Sequence, residues 1–358
     1  MGLNSENIAL VEIGGSHDEC LLTQLHALNN EGKKITLITT AELINRNPIF
    51  EDYIEDLLIV NMTGSKSLKS KEIKRVWKEI KNKETSKVIF NTAQGSRIRN
   101  ICLYALFHKV EFIGIIHTTL KFQASFTQKI INWKIKKYFV LSEYLLSTIS
   151  PPKGIQVGYF YPLRYVDFEQ KLAPKKGLII SIIGGVENRR KDLAGFVKLL
   201  ISIKKEPISF VFLGKSDKNS SEVSDFVKLL KSENLQEKVT LFDSFVSQEQ
   251  FDFHLKQSDL ILPLVHPETP SADQYFKNQI AGAMSVSFAY KIPMLIHKGY
   301  SHIEEMKTAS FYYDLNDFKE VLHSSIDELS LKANEMKAFE AYNKEYQEKR
   351  FIDFTFSS

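Results

Sequence analysis

Apolar residues in the first half of the chain come in short runs, and stretches of helical periodicity separate them. NIALVEI (7–13) runs into Gly14 and Gly15, after which Cys20, Leu21, Leu22, Leu25 and Leu28 recur at the spacing of one helix face. KITLITT (34–40), LLIVNMT (57–63), KVIFNTA (87–93), EFIGIIHTT (111–119) and KYFVLS (137–142) read as further strands. Helical segments fall around 69–82, 98–109 and 125–136. Repeated strand–helix–strand units predict a parallel sheet with helices on both faces. The rhythm breaks at SPPKG near 151 and stays broken through YFYPLRY and KLAPKKG, which predicts a linker between about 160 and 176.

The alternation then restarts. GLIISIIGG (177–185), ISFVFLG (208–214), KVTLFDS (238–244), DLILPLV (259–265) and PMLIHK (293–298) read as strands. DLAGFVKLLISI (192–203), SEVSDFVKLLKSEN (221–234), SQEQFDFHLKQS (247–258) and GAMSVSFAYK (282–291) read as helices, the third opened by a Ser N-cap signature. ELSLKANEMKAFEAYNKEYQEKR (328–350) reads as one long charged helix. The expected architecture is α/β, with two Rossmann-like doubly wound domains of similar size facing a central cleft. In such sheets ligands sit beyond the carboxyl ends of strands.

Length agrees, since 358 residues exceed what one core usually serves. With 43% hydrophobic and 25% charged residues, disorder and coiled coil are excluded for the whole. The formal charge of +4 and pI near 8.7 suit an anionic ligand or membrane surface and fall short of a nucleic-acid binder's footprint. Cys20 and Cys102 make no disulfide framework, which predicts a reduced, cytoplasmic protein. The opening residues lack the basic and apolar regions of a signal peptide, and the apolar runs are of strand length.

The order of features from 177 to 298 resembles the donor domain of family 4 glycosyltransferases, which have the GT-B fold. SIIGGVENRRKDLAGFVKLL stands where that family has a strand, a Gly-Arg turn, Lys-Gly and a helix. FVFLGK matches its apolar strand ending in Gly, KVTLFDSFVSQEQFDFHLKQSDLILPL its next block, and SVSFAYKIPMLI its helix running to Pro-Val-Ile. The family's two Glu separated by seven residues fall here on Asn278 and Val286, and its Arg falls near Val186. The resemblance implies a domain at 1–165 for the acceptor and one at 176–335 for the nucleotide-sugar donor. It also implies that 336–358 crosses back onto the first domain.

Arg189, Arg190 and Lys191 follow the Gly184-Gly185 turn and precede a helix, so cations and backbone N–H groups meet where a diphosphate could sit. The rival reading is a solvated basic loop. Gly14, Gly15 and His17 lie after the first strand, where Asp18 and Glu19 are either site residues or helix caps. His117 ends the strand 111–119, placed either to contact the sugar or as a satisfied core histidine. The catalytic candidates are His117 and His17. Gly14, Gly15, Gly185, Arg189, Arg190, Lys191, Gly214, Tyr275, Lys277 and Asn278 are the candidates for binding the nucleotide-sugar. The last three belong to the polar loop 266–279, which also carries Glu268 and Asp273 and otherwise reads as a surface loop. Arg97 and Arg99 either meet an acceptor phosphate or face water. In FTQKIINWKIKKYF (126–139), Lys129, Lys134, Lys136 and Lys137 accompany Trp133, either as a helix's wet face or as a peripheral contact with the inner face of a membrane.

The function these features imply is transfer of a sugar from a nucleotide-sugar to a saccharide or lipid-linked acceptor. The resemblance adds retention of anomeric configuration. No Asp-x-Asp occurs, so neither a metal nor another cofactor is expected. A GT-B-like scaffold that binds a nucleotide or glycan without catalysis, within a polysaccharide biosynthesis complex, is the alternative. A sugar-nucleotide epimerase is a third.

Overall fold

The computed structural model describes residues 6–14, 17–61, 70–164 and 177–357. The chain divides into two compact units, Met1–Arg164 with Lys344–Ser358, and Tyr165–Asn343. Most of the expected linker, like Gly15, lies outside the described residues.

The first unit opens with β1 (Asn7–Glu12), α1 (Leu21–Asn30), β2 (Lys34–Thr39), α2 (Ala41–Arg46) and β3 (Asp56–Ile59). It continues with α3 (Ser70–Asn82), β4 (Lys87–Phe90), α4 (Ser96–Tyr104), β5 (Glu111–Ile116), α5 (Thr119–Ala124) and α6 (Phe126–Lys134). The strands β6 (Lys137–Val140) and β7 (Gln156–Tyr159) follow, with α7 (Tyr144–Thr148) between them. The strands form one parallel sheet in the order β3-β2-β1-β4-β5-β6-β7. The order reverses at β1/β4, so loops leaving these two strands diverge and open a crevice at their carboxyl ends. Ile8, Leu10, Ile89, Phe90, Ile113 and Phe139 form the middle of the core.

In the second unit β8 (Leu178–Ile183), α8 (Leu193–Ser202), β9 (Ile208–Lys215), α9 (Ser221–Ser232), β10 (Val239–Phe242) and α10 (Gln248–Gln257) come first. Then come β11 (Leu260–Ile261), α11 (Ala272–Lys277), α12 (Gly282–Tyr290), β12 (Met294–His297), β13 (Ser310–Tyr313) and α13 (Phe318–Ala338). Its sheet is parallel in the order β10-β9-β8-β11-β12-β13, with the reversal at β8/β11. Phe196 of α8 meets Phe210 and Phe212 of β9 edge-to-face, and Phe226 of α9 packs tilted against Phe196 and Phe212. The Ser at the start of α10 makes a full capping box with Gln250.

Three readings of the sequence change. The long helix expected at 328–350 is two: α13 ends at Ala338, a short 3-10 turn (Glu340–Tyr342) follows, and α14 (Lys344–Phe356) returns to the first unit. There Asn30 Nδ2 donates to Glu348 at 3.1 Å, and the Gln347 side chain accepts from the Tyr161 N–H at 2.9 Å. Secondly, β7 and β13 appear where turn residues and a short apolar run had hidden them. Gly158 of β7 lets the Phe354 ring of α14 close on the strand, since a Cβ there would sit 3.0 Å from it. Thirdly, the basic stretch 126–139 is only partly wet. Lys134 donates to the His108 carbonyl, and Lys137 pairs with Glu111 and bonds the Ser357 carbonyl. Among the described residues no helix is long and apolar enough to cross a membrane.

Candidate functional site

The turn after β8 carries the densest basic chemistry of the second unit. Gly184 has φ +88°, a left-handed value natural only to glycine. That turn folds the chain back so that Lys191, 6% exposed, lies with its Nζ 3.1 Å from where a Gly184 Cβ would be. No hydrogen bond or ion pair reaches that ammonium among the described residues. Burial lowers its pKa to about 8, with Glu187 opposing and Arg190 adding to the shift. The group is charged at neutral pH and short of partners.

Arg189 and Arg190 stand half-exposed beside it. Glu187 holds Arg190 at 3.1 Å and Arg189 more loosely at 3.9 Å. Exposed pairs of this kind contribute little, so both guanidiniums can turn to another anion at small cost. The turn itself is firm. The Asp192 N–H donates to the Leu264 carbonyl (3.0 Å), and the Ser271 N–H and hydroxyl both donate to the Arg189 carbonyl (3.1 and 2.7 Å). Leu264, just past β11, has φ +59°, an unusual conformation for a branched residue, held where its carbonyl meets Asp192. The basic turn and the start of the 266–279 loop are therefore stitched together at the β8/β11 reversal.

Beneath them lies a buried relay. Asp192 caps α8 by accepting from the Gly195 N–H (2.7 Å), and its other oxygen takes the proton of His266 Nδ1 (2.8 Å). His266 Nε2 must then accept, and the Tyr313 hydroxyl donates to it at 2.6 Å. The His266 hydrogen bond holds the Asp192 carboxyl below its usual range, against the opposing effect of burial. Each member is satisfied, so the relay positions the loop. Asp192 thereby takes the Gly195 N–H, one of the backbone donors at the first turn of α8.

Other expected residues have different work. A Cβ on Gly185 would fall 1.8 Å from the Lys215 carbonyl oxygen, and one on Gly214 would fall 2.4 Å from the Gly185 nitrogen. Both glycines let β8 and β9 touch. Tyr275 is buried near the basic turn, and burial raises its pKa against the opposing charges of Arg190 and Arg189. Lys277 pairs with Asp273 on the exposed side of α11, and Asn278 closes that helix with its N–H on the Gln274 carbonyl. The loop expected at 266–279 thus contains a short helix.

In the first unit the carboxyl ends of β1 and β4 converge on Glu12, a residue absent from the sequence-based candidates. It is fully buried and accepts from the Gly14 N–H (2.6 Å), Asn91 Nδ2 (2.8 Å) and the Thr92 hydroxyl (2.6 Å). Gly14 serves this closure, since a Cβ there would meet Glu12 Oε1 at 2.7 Å. Burial raises the Glu12 pKa despite those bonds. Asn91 also donates to the His17 carbonyl (2.7 Å) and accepts from Gln24 (2.6 Å), and Arg97 holds the Ile13 carbonyl (2.9 Å). Arg97 thus braces the loop, and Arg99 turns to Asn100. Glu12→Ala would strip three donors of their acceptor, so denaturant unfolding should show a loss of about 2–3 kcal/mol.

His17, with φ +71°, stacks on His117 at 3.7 Å between ring centroids. His117 Nε2 donates to the Asn91 carbonyl at 2.6 Å, and burial with the neighbouring His17 pushes its pKa to about 3. It is neutral near pH 7 with Nε2 taken by that carbonyl, the environment of the core histidine that was the alternative to a sugar contact. Burial alone would lower His17, but the hydrogen bond it donates to Glu19 and the charges of Glu19, Glu12 and Asp18 outweigh it and raise the pKa. Among the described residues no cluster of three or more His, Cys, Asp or Glu is placed to hold a metal.

No family model matches the sequence, and no curated protein is detectably similar to it. Solved structures are. HepE of Anabaena, determined with UDP, superposes with a TM-score of 0.70 at 9% identity, covering 98% of this chain and 99% of that one. A glycosyltransferase from Rickettsia africae ESF-5 gives 0.65 at 13% identity, covering 99% and 100%. The chain has a GT-B glycosyltransferase-like fold. UDP-GlcNAc 2-epimerase from Neisseria meningitidis, solved with UDP-GlcNAc, shares it with a TM-score of 0.63 at 11% identity, covering 99% and 100%. Within the GT-B scaffold of this chain, both constellations stand where a doubly wound sheet reverses its order. The sequence signal for the missed Glu12 was a carboxylate ending an otherwise apolar strand.

Proposed function

We propose that the protein is a glycosyltransferase that binds the diphosphate of a nucleotide-sugar at the 184–191 turn. The observation that carries this reading is the Lys191 ammonium, which ends a side chain that is 6% exposed, has no partner among the described residues and follows a central strand. An unpaired buried charge is unfavourable unless a ligand completes it. UDP and UDP-GlcNAc in HepE and the Neisseria epimerase support a nucleotide-sugar as that ligand.

In this reading Lys191, with Arg189 and Arg190 released from Glu187, takes up the charge that develops on the leaving phosphate. That is the work a metal does elsewhere, so transfer is metal-independent. The motif order shared with family 4 supports retention, with the leaving phosphate accepting the proton of the acceptor hydroxyl. The acceptor is a saccharide or a lipid-linked glycan. Cys20 and Cys102, both free and buried, suit a cytoplasmic site of action.

The test is a thermal-shift series with UDP, GDP, ADP and UDP-sugars, followed by mass spectrometry of acceptor mixtures incubated with the bound sugar nucleotide and EDTA. Saturation at about a hundred times Kd should stabilise by about 2.7 kcal/mol. Silence towards every nucleoside diphosphate would sink the proposal. Binding without turnover would favour the non-catalytic reading, which rests on Asn278 and Val286 standing where the family has its two Glu. Solvent deuterium entering C2 of the sugar would favour an epimerase.

A further inference from the structure

We propose that the α3–α4–α6 layer of the first unit is a docking surface for an anionic lipid bilayer. On α3, Lys71, Lys74, Lys78 and Lys81 recur every three or four residues and so line one side of the helix. All four are exposed, and none forms an ion pair among the described residues. The opposite side, with Ile73, Val76, Trp77 and Ile80, is buried.

On α6, Phe126 and Trp133 are two turns apart and therefore on one side, 74% and 58% exposed, with exposed Lys129 between them. The turn after α4 presents Phe107 at 95% exposure, followed by exposed Lys109. This turn joins the layer. The His108 ring packs on Trp77 of α3 at 4.5 Å, and its carbonyl accepts from Lys134 of α6 at 2.5 Å. Phe107 and Trp133 are thus each one residue from a direct contact between their segments.

Charge is concentrated in the same stretch. Residues 70–142 hold fifteen Lys and Arg against four Asp and Glu, a net +11, whereas the whole chain is +4. The remainder is accordingly acidic, so the basic layer is a segregated feature. Large apolar side chains held in water beside unpaired lysines suit an interface that is anionic at its surface and apolar just beneath. A double-stranded nucleic acid would account for the lysines and leave Phe107 and Phe126 without a role.

The proposal does not depend on the diphosphate site, and the variants that test it lie outside that site. The full chain is sedimented with vesicles of phosphatidylcholine alone and with about 30% phosphatidylglycerol added. Binding is expected only to the anionic vesicles, with release in about 0.5 M salt. Lys74→Glu with Lys78→Glu, and separately Phe107→Ser with Phe126→Ser, should each cut the bound fraction at least about fivefold. Unchanged melting temperature and unchanged UDP-induced shift would show that the variants remain folded. Failure to bind anionic vesicles, equal binding to neutral ones, or indifference to both pairs would overturn the proposal. So would binding of single-stranded RNA that outcompetes the vesicles and is unaffected by Phe107→Ser.

Discussion

Lys191→Met is expected to weaken UDP binding on the order of a hundredfold and to slow turnover similarly, while making the protein more stable. The two signs are opposite because the ammonium is held without a partner. Its pKa of about 8, down from 10.5, means that keeping the charge buried at neutral pH costs about 3 kcal/mol. Met retains the stem and removes the charge, so part of that cost is recovered. The lost charge-assisted contacts to phosphate are worth about 1.5–3 kcal/mol each, and they strengthen as the leaving group develops charge. Thermal melts and calorimetric titration with UDP decide the matter. A variant that is both less stable and undiminished in affinity would remove Lys191 from the site.

The same pKa sets a pH dependence. The depressed value makes this group's contribution to folding most favourable above about 10.5, where the lysine is neutral in both states, and that contribution is lost as pH falls through 8. Anion binding runs the other way. It requires the ammonium, so UDP affinity should fall as pH rises through 8, and binding near pH 8.5 should take up a proton. Titrations in buffers of different ionisation heat would reveal that uptake.

Gly185→Ala should lower stability by about 4 kcal/mol or more. The new Cβ would lie 1.8 Å from the Lys215 carbonyl oxygen, so backbone meets backbone and no flexible side chain can move away. The ends of β8 and β9 would have to separate. Gly184→Ala makes the contrasting control. There the Cβ faces the flexible end of Lys191 at 3.1 Å, and the cost is a left-handed φ, about 1 kcal/mol. Its larger effect should fall on UDP binding, through displacement of the ammonium. Equal melting temperatures for the two variants would contradict this division of roles.

Much of this was legible from local pattern. Apolar-rich strands of six residues at β1, β2, β5 and β8 and the helical spacing between them named the fold class. The Gly184-Gly185 turn with its basic sequel marked the second unit's candidate site. These are short-range signals, since side-chain period and glycine's conformational range act within a few residues. Weak or interrupted signals failed: β7 carries Gly158 and follows two prolines, β13 is four residues long, and α11 is one short helix inside a polar loop.

By itself, the sequence determined two doubly wound units and the loops that leave their central strands. Tertiary structure alone decided how the charges in those loops are spent. Arg189 and Arg190 meet Glu187 within their own turn, but Asp192 meets His266 from 74 positions away, and Lys191 is left with no partner among the described residues. Tertiary structure likewise turned Lys134 and Lys137 inward and left the lysines of α3 outside. The physical reason is that a charged residue's behaviour depends on burial and on partners contributed by distant strands. Glu12 gathers Asn91 and Thr92 from about eighty positions away, and the spacing along the chain carries no trace of that.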